Sequence, residues 1–180
     1  MSTPSDQLAH WLAQEKEQRE RLQNGVGPGV NHRDQVIGMN GMQIMQAILS
    51  GKLHYPPIAQ TLDFMLMEVS DGHAVFQGTP GVAHLNPMGT VHGGWFATLL
   101  DSAVACAIQT MIPAGRAYTT TELSMNIVRA LTPKVQRVRA EGNVLHCGRQ
   151  LATAEGKLYG PDGVLYAHAT TTCFIFEIPS

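Results

Sequence analysis

Between Asn40 and Ser50, apolar residues recur at Met42, Met45, Ile48 and Leu49. These steps of three and four draw one stripe along a helix, and Gly51 stands where such a helix would be capped. Pro56-Pro57 forbids its continuation. From Thr61 the helical period is lost. LDFMLMEV, the turn SDGH and AVFQGTP read as two strands joined by a hairpin around Asp71-Gly72. The next long element, Gly93 to about Met111, is apolar on nearly every face, which predicts a helix covered on most sides. After Ala114-Gly115 come four strand-like runs, YTTTELSMNIV, VQRVRAEGNVLH, RQLATAEGKLY and VLYAHATTTCFIF. The turns between them carry Thr132-Pro133, Cys147-Gly148 and Gly160-Pro161-Asp162-Gly163. Short turns among these last four runs favour antiparallel pairing. The class is therefore α+β: one curved antiparallel sheet curled around one long helix.

The first forty or so residues lie outside that plan. Thr3-Pro4-Ser5-Asp6 combines an N-cap, a proline at the first helical position and an acid at the third. A helix is predicted from there to about Leu22, ended by Asn24-Gly25. Its apolar residues, Leu8, Trp11, Leu12 and Leu22, form a thin side suited to packing on the body of the domain or on another subunit. GVGPGVNHRD follows as a linker whose Gly and Pro argue against regular structure. The chain divides into an N-terminal helix and linker, residues 1–39, and a domain, residues 40–180.

Composition narrows the function. The 180 residues can bury a core without covalent staples. A formal charge of −2, with no block of like charge, argues against nucleic-acid binding. The apolar run from Trp95 to Ile112 carries Asp101, Ser102 and Gln109, which makes it a poor membrane span. The N-terminus is polar, and the cysteines, Cys106, Cys147 and Cys173, show no CxxC spacing. The expectation is a soluble cytoplasmic protein with reduced thiols.

The candidate chemistry lies in NPMGTVHGGWFATLLDSA, residues 86–103, where one acid interrupts an apolar run. Asp101 is eight positions past Gly93, roughly 12 Å along a helix axis. His92, nine positions away, falls on the opposite face. These groups cannot form one compact site within a chain, so a second copy would have to bring its own Gly-Gly end to Asp101. A helix N-terminus offers free N–H groups and partial positive charge, and Gly93 and Gly94 would let a substrate carbonyl approach them. Asp101 could then act as a general base or as a nucleophile. Plainer readings stand beside this one. A buried Asp can simply bond to a neighbouring hydroxyl, and His-Gly-Gly can be only a tight helix start. His84 and His92 lack a third ligand at a supporting spacing, so no metal is expected. His146 and Cys147, adjacent in a strand, point to opposite faces and make a poor base–nucleophile pair.

His84-Leu-Asn86-Pro-Met-Gly89-Thr-Val-His92-Gly93-Gly94, followed by Leu99-Leu-Asp101-Ser-Ala103, resembles the signature of hotdog-fold acyl-CoA thioesterases of the phenylacetic-acid-degradation type. The resemblance extends from about Leu49 to Phe176. It implies a hotdog fold, with subunits paired as a homodimer that shares two sites and often assembles into a homotetramer. It implies that Asp101 is the catalytic carboxylate, that Gly93 N–H of the other subunit polarises the thioester carbonyl, and that Asn86 and His92 shape the loop and orient substrate or water. A hydroxyl in Tyr118-Thr-Thr-Thr-Glu-Leu-Ser-Met-Asn would place the water, with Thr120 the nearer match and Thr121 the alternative. Gly94, Trp95, Arg129 and Arg149 fall at positions suited to the substrate or its coenzyme A portion, although core packing and surface solvation also explain the last three. Coenzyme A would arrive as part of the substrate, with no separate cofactor. Relatives often follow the Arg129 position with Pro, whereas Ala130 stands here. Two other functions compete. An acyl-thioester hydratase would carry a Gly-Asp-x-Asn-Pro-x-His string, which Leu85 before Asn86-Pro87 does not match. A non-catalytic acyl-CoA binder would use the N-terminal helix as a contact surface.

Overall fold

Gly142 and Gly156 lie opposite one another in neighbouring strands and form a shallow trough in the sheet. A Cβ at Gly142 would run into the Ala103 carbonyl, and one at Gly156 would meet Val104 Cγ1 at 2.6 Å. The long apolar helix settles into this trough. In the computed structural model, which describes residues 3–178, the order is α1 (Pro4–Gln23), α2 (Arg33–Val36), α3 (Gly41–Leu49), α4 (Pro57–Thr61), β1 (Phe64–Ser70), β2 (His73–Gly78), α5 (Gly93–Thr110), β3 (Arg116–Ile127), β4 (Val138–Cys147), β5 (Leu151–Tyr159) and β6 (Leu165–Glu177). A single 3-10 turn, Val82–His84, precedes α5. The six strands form one sheet in the order β1-β2-β4-β5-β6-β3, antiparallel throughout. Leu99, Leu100, Ala103, Val104, Ala107 and Ile108 of α5 are completely buried against it. Each large apolar side chain among them contributes about 1.5–3 kcal/mol of hydrophobic stabilisation.

The sheet is antiparallel as the turns predict, but its strand order is not the chain order. β3 pairs with β6 along its whole length, from Arg116 opposite Glu177 to Ile127 opposite Ala167, and never touches β4 as a neighbour. The Thr132-Pro133 segment is accordingly a crossover and not a hairpin turn. It is pinned where Val128 and Arg129 N–H both donate to Tyr166 O, and where buried Leu131 accepts from Val91 N–H through its carbonyl. β3 is left as a long edge.

Two short helices lie outside the predicted elements, the first at the end of the predicted linker. Arg33–Val36 forms a single turn, capped where His32 N–H donates to Gln35 Oε1 at 2.7 Å. α3 ends at Leu49, well before Pro56-Pro57, and Pro57 starts a separate short helix, α4, because a first-turn proline has no N–H to lose.

α1 begins at the predicted capping box of Thr3 and Asp6 and packs on its own chain. Its buried side is mostly polar: Trp11, Glu15 and Gln18. Gln77 and Arg139, partners across β2 and β4, point to the sheet face away from α5. Glu15 accepts from Gln77 Nε2 at 2.8 Å, from Arg19 Nε at 2.8 Å and from Arg137. Arg139 donates to Gln77 and Gln14, and its guanidinium lies 4.7 Å from the Trp11 ring centroid. Gln18 Nε2 donates to Leu49 O at 2.9 Å, which ties α1 to the end of α3.

Candidate active site

Asp101 projects from α5 on the side that the sheet leaves partly open, and it is half-buried. Thr120 Oγ1 donates to its Oδ1 at 3.1 Å. The register that brings these groups together depends on a β-bulge. Thr120 pairs with Cys173 and Glu122 with Thr172, leaving Thr121 as the extra residue. Thr121 turns outward and donates to Thr172 O at 2.9 Å. Of the two hydroxyls considered from sequence, Thr120 is the one beside the carboxylate.

Burial raises the Asp101 carboxyl above its usual range, and the Thr120 hydrogen bond opposes that rise. Its neighbours are pushed further. Burial, with a smaller contribution from the Asp101 charge, lifts the Cys106 thiol to about 12. Burial likewise lifts the Tyr118 hydroxyl well above its usual value.

The loop before α5 holds itself together. Asn86 Oδ1 accepts from Met88 and Thr90 N–H, and its Nδ2 donates to Thr90 Oγ1 at 2.9 Å. His92 caps the helix: its Nδ1 accepts from Gly94 N–H at 2.9 Å, while its own N–H donates to His84 O at 2.8 Å. The Gly94 N–H is thus engaged, whereas the Gly93 N–H has no acceptor among the described residues. A Cβ at Gly93 would meet only Ile127 Cδ1, at 3.4 Å, so packing within the chain does not demand glycine there. Gly93 remains eight positions from Asp101 on one unbroken helix. Within one chain the two do not meet.

Other sequence candidates separate. Trp95 is 3% exposed, donates Nε1–H to Leu62 O at 2.9 Å and stacks on His84. It belongs to the core. His84 Nδ1 accepts from Gly81 N–H at 3.0 Å, and among the described residues no three His, Cys, Asp or Glu are grouped to hold a metal. Arg129 and Arg149 are both exposed. Arg129 lies just beyond the Ile127 end of β3, while Arg149 precedes Leu151, which is level with Thr119 through Phe174. At about 3.3 Å per residue, Ile127 alone is roughly 26 Å along the sheet from the level of Thr119 and Leu151, so the two arginines are too far apart to meet on one phosphate. Sequence reasoning missed a small apolar cavity of about 70 Å³ between α1, α3, α4, β1, β2 and α5. Its walls come from segments distant in sequence, so no local pattern announces it.

The model of the thioesterase superfamily matches residues 88–167, from the loop before α5 into β6. A variant of the phenylacetic acid degradation protein PaaI from Thermus thermophilus is 30% identical, aligns over 66% of this chain and 97% of its own, and superposes with a TM-score of 0.59. The chain belongs to the PaaI-like hotdog thioesterases. It is a thioester hydrolase. A phenylacetic acid degradation-related protein from Ralstonia eutropha JMP134 is 27% identical over 72% of this chain and 98% of its own, with a TM-score of 0.67. The PaaI protein of E. coli, at 21% identity, shares the fold over 69% of this chain and 86% of its own, with a TM-score of 0.61. No curated protein sequence matches the chain. Among the described residues of this thioesterase, no helix is long and apolar enough to cross a membrane.

Proposed function

We propose that this thioesterase hydrolyses an acyl- or aryl-acyl-coenzyme A to the free acid and coenzyme A, at two equivalent sites each shared between two copies of the chain. The observation that carries the reading is the Asp101 carboxyl, held by Thr120 beside α5, with an unengaged Gly93 N–H at the start of the same helix. Two α5 helices laid antiparallel bring each Gly93 to the other copy's Asp101. The twelve-residue edge strand β3 supports this pairing, because it carries Thr120 and offers an unpaired backbone edge to its twin.

In such a site the Gly93 N–H, at the positive end of α5, donates to the thioester carbonyl and holds the oxyanion that forms on attack. His92 keeps the Gly94 N–H engaged, and Asn86 holds the loop that presents Gly93. Asp101 serves in one of two ways. As general base it takes a proton from water while the water oxygen bonds to the carbonyl carbon; the C–S bond then breaks, and the proton passes to the departing sulfur. As nucleophile its own oxygen bonds to the carbonyl carbon, the thiolate leaves, and water cleaves the resulting anhydride. Either route consumes one water. Thr120 orients the carboxylate in both. Coenzyme A enters as part of the substrate, with Arg129 or Arg149 as an exposed cation for its phosphates. The unpaired cysteines and a coenzyme A substrate favour a cytoplasmic setting.

Asp101→Asn protein should release free thiol from a panel of acyl-CoAs at least about 10²-fold more slowly than wild type, with unchanged circular dichroism. Wild-type-like turnover by this variant overturns the assignment. A single turnover in ¹⁸O-labelled water separates the two routes, since only the nucleophile leaves label in the Asp101 carboxyl.

A further inference from the structure

We infer that Tyr118 holds the water that the reaction consumes, its hydroxyl oxygen accepting one hydrogen of that water while Asp101 Oδ2 accepts the other; this rests on the proposed role of Asp101. With both hydrogens engaged, a lone pair of the water is left to face the carbonyl carbon. The other hydroxyls around Asp101 are already occupied. Thr120 Oγ1 donates its only hydrogen to Asp101 Oδ1, and Cys173 Sγ stands 3.9 Å from it on its other side. Ser102 Oγ, next to Asp101 in the chain, donates to Thr98 O at 2.7 Å, and Thr121 Oγ1 turns outward to Thr172 O.

Tyr118 is placed to supply the missing anchor. On β3 it pairs with Ile175 as Thr120 pairs with Cys173, and both of those partners are buried, so the two side chains face α5 from one strand. They start roughly 7 Å apart along β3, and the Tyr118 ring packs with Val104 and Ile108 of α5. Burial keeps the Tyr118 proton in place, and Cys106, Cys173 and Asp101 lie near enough for their charges to reinforce this. The hydroxyl is also unengaged. Among the described residues it has no hydrogen-bond partner, and Arg116 Nε is the one partnerless side-chain nitrogen or oxygen sealed from solvent. The Tyr118 hydroxyl therefore opens on space that water can enter. A half-buried hydroxyl without a partner is costly, and a bound water removes that cost. Such a water needs at least two polar partners, which Tyr118 and the unpaired Asp101 Oδ2 provide.

The test uses the full chain and two readouts. Tyr118→Phe keeps the ring and removes the hydroxyl. Its kcat for acyl-CoA hydrolysis should fall about tenfold with KM unchanged, the split expected when an interaction with the reacting water is lost. A packing role would instead lower the melting temperature and leave kcat alone. The second readout is crystallographic. Wild-type crystals should show a water within hydrogen-bond distance of both Tyr118 Oη and Asp101 Oδ2, and crystals of the variant should lack it. Wild-type kcat in the folded variant overturns the proposal, as does density in which a group of the second copy, or nothing, stands on Tyr118 Oη. If Tyr118→Phe does not fold, the wild-type density decides alone. Full turnover by Tyr118→Phe beside an inactive Asp101→Asn removes the water anchor and leaves the role of Asp101 intact. Full turnover by Asp101→Asn removes that role, and the density still decides whether Tyr118 carries a water.

Discussion

Asp101 costs the folded chain stability in its charged form, and this separates it from an ordinary structural carboxylate. Its pKa is raised in the fold, first by burial, so the native state is favoured below the usual carboxylate range and loses stability as pH rises through the raised value. Asp101→Asn, which cannot ionise, should therefore melt at a higher temperature than wild type at neutral pH, with the difference closing in acid. Thermal melts across pH check this. Thr120→Val removes the one hydrogen bond that lowers the carboxyl's pKa. The acid limb of kcat/KM against pH should then move to higher pH, which a purely packing role for Thr120 would not cause. Asp101 was legible in the sequence because an acid inside an apolar helix needs a reason. Thr120 was legible only to within one residue, since the bulge at Thr121 decides which hydroxyl turns inward, and a bulge has no signature in this run of threonines.

Among the elements, α1 shows how a thin apolar stripe can still dock. Leu8, Trp11, Leu12 and Leu22 were legible as its apolar side, yet Glu15 and Gln18 are buried deeper than Leu12. Burial alone would push the Glu15 carboxyl up, but hydrogen bonds from Arg137 and Arg19, with Gln77, outweigh it and hold the pKa below its usual value. That stability is present above the ordinary carboxylate range and is lost as pH falls through the lowered value. Glu15→Gln should cost about 3 kcal/mol at neutral pH, measured by urea denaturation, and should flatten the acid side of the stability profile. Helical periodicity does not report such a network, whose partners lie on β2 and just before β4. α5 presents the opposite case, because its apolar surface on all sides already demanded a surrounding sheet. Its seat is specific, however: Gly142→Val would drive a side chain into the Ala103 backbone and should cost more than about 3 kcal/mol in the same measurement.

At the scale of the whole molecule, the separation of Gly93 from Asp101 makes the proposed sharing of sites testable. Gly93→Val should be inactive by blocking the carbonyl's approach, and Asp101→Asn by removing the carboxylate. Refolded together, the two inactive proteins should regain about a quarter of wild-type activity: half the pairs are mixed, and each mixed pair holds one intact site of two. No recovery in mixed pairs, with pairing confirmed by size, would place both groups of a site in one chain. The sequence by itself determined the elements that local periods and turns encode: the capped α1, the β1–β2 hairpin, the buried α5 and the antiparallel habit of the later strands. It also singled out residues 86–103 as the candidate site, because those residues form one continuous stretch. Only the tertiary structure decided that β3 leaves β4 to pair with β6, that Arg129 and Arg149 stand at opposite ends of the sheet, and that α1 helps close a small apolar cavity against α3, α4 and α5. The reason is physical. Local patterns fix which face of an element is apolar, whereas strand order and cavities depend on contacts between segments far apart in the chain, which no window of sequence contains.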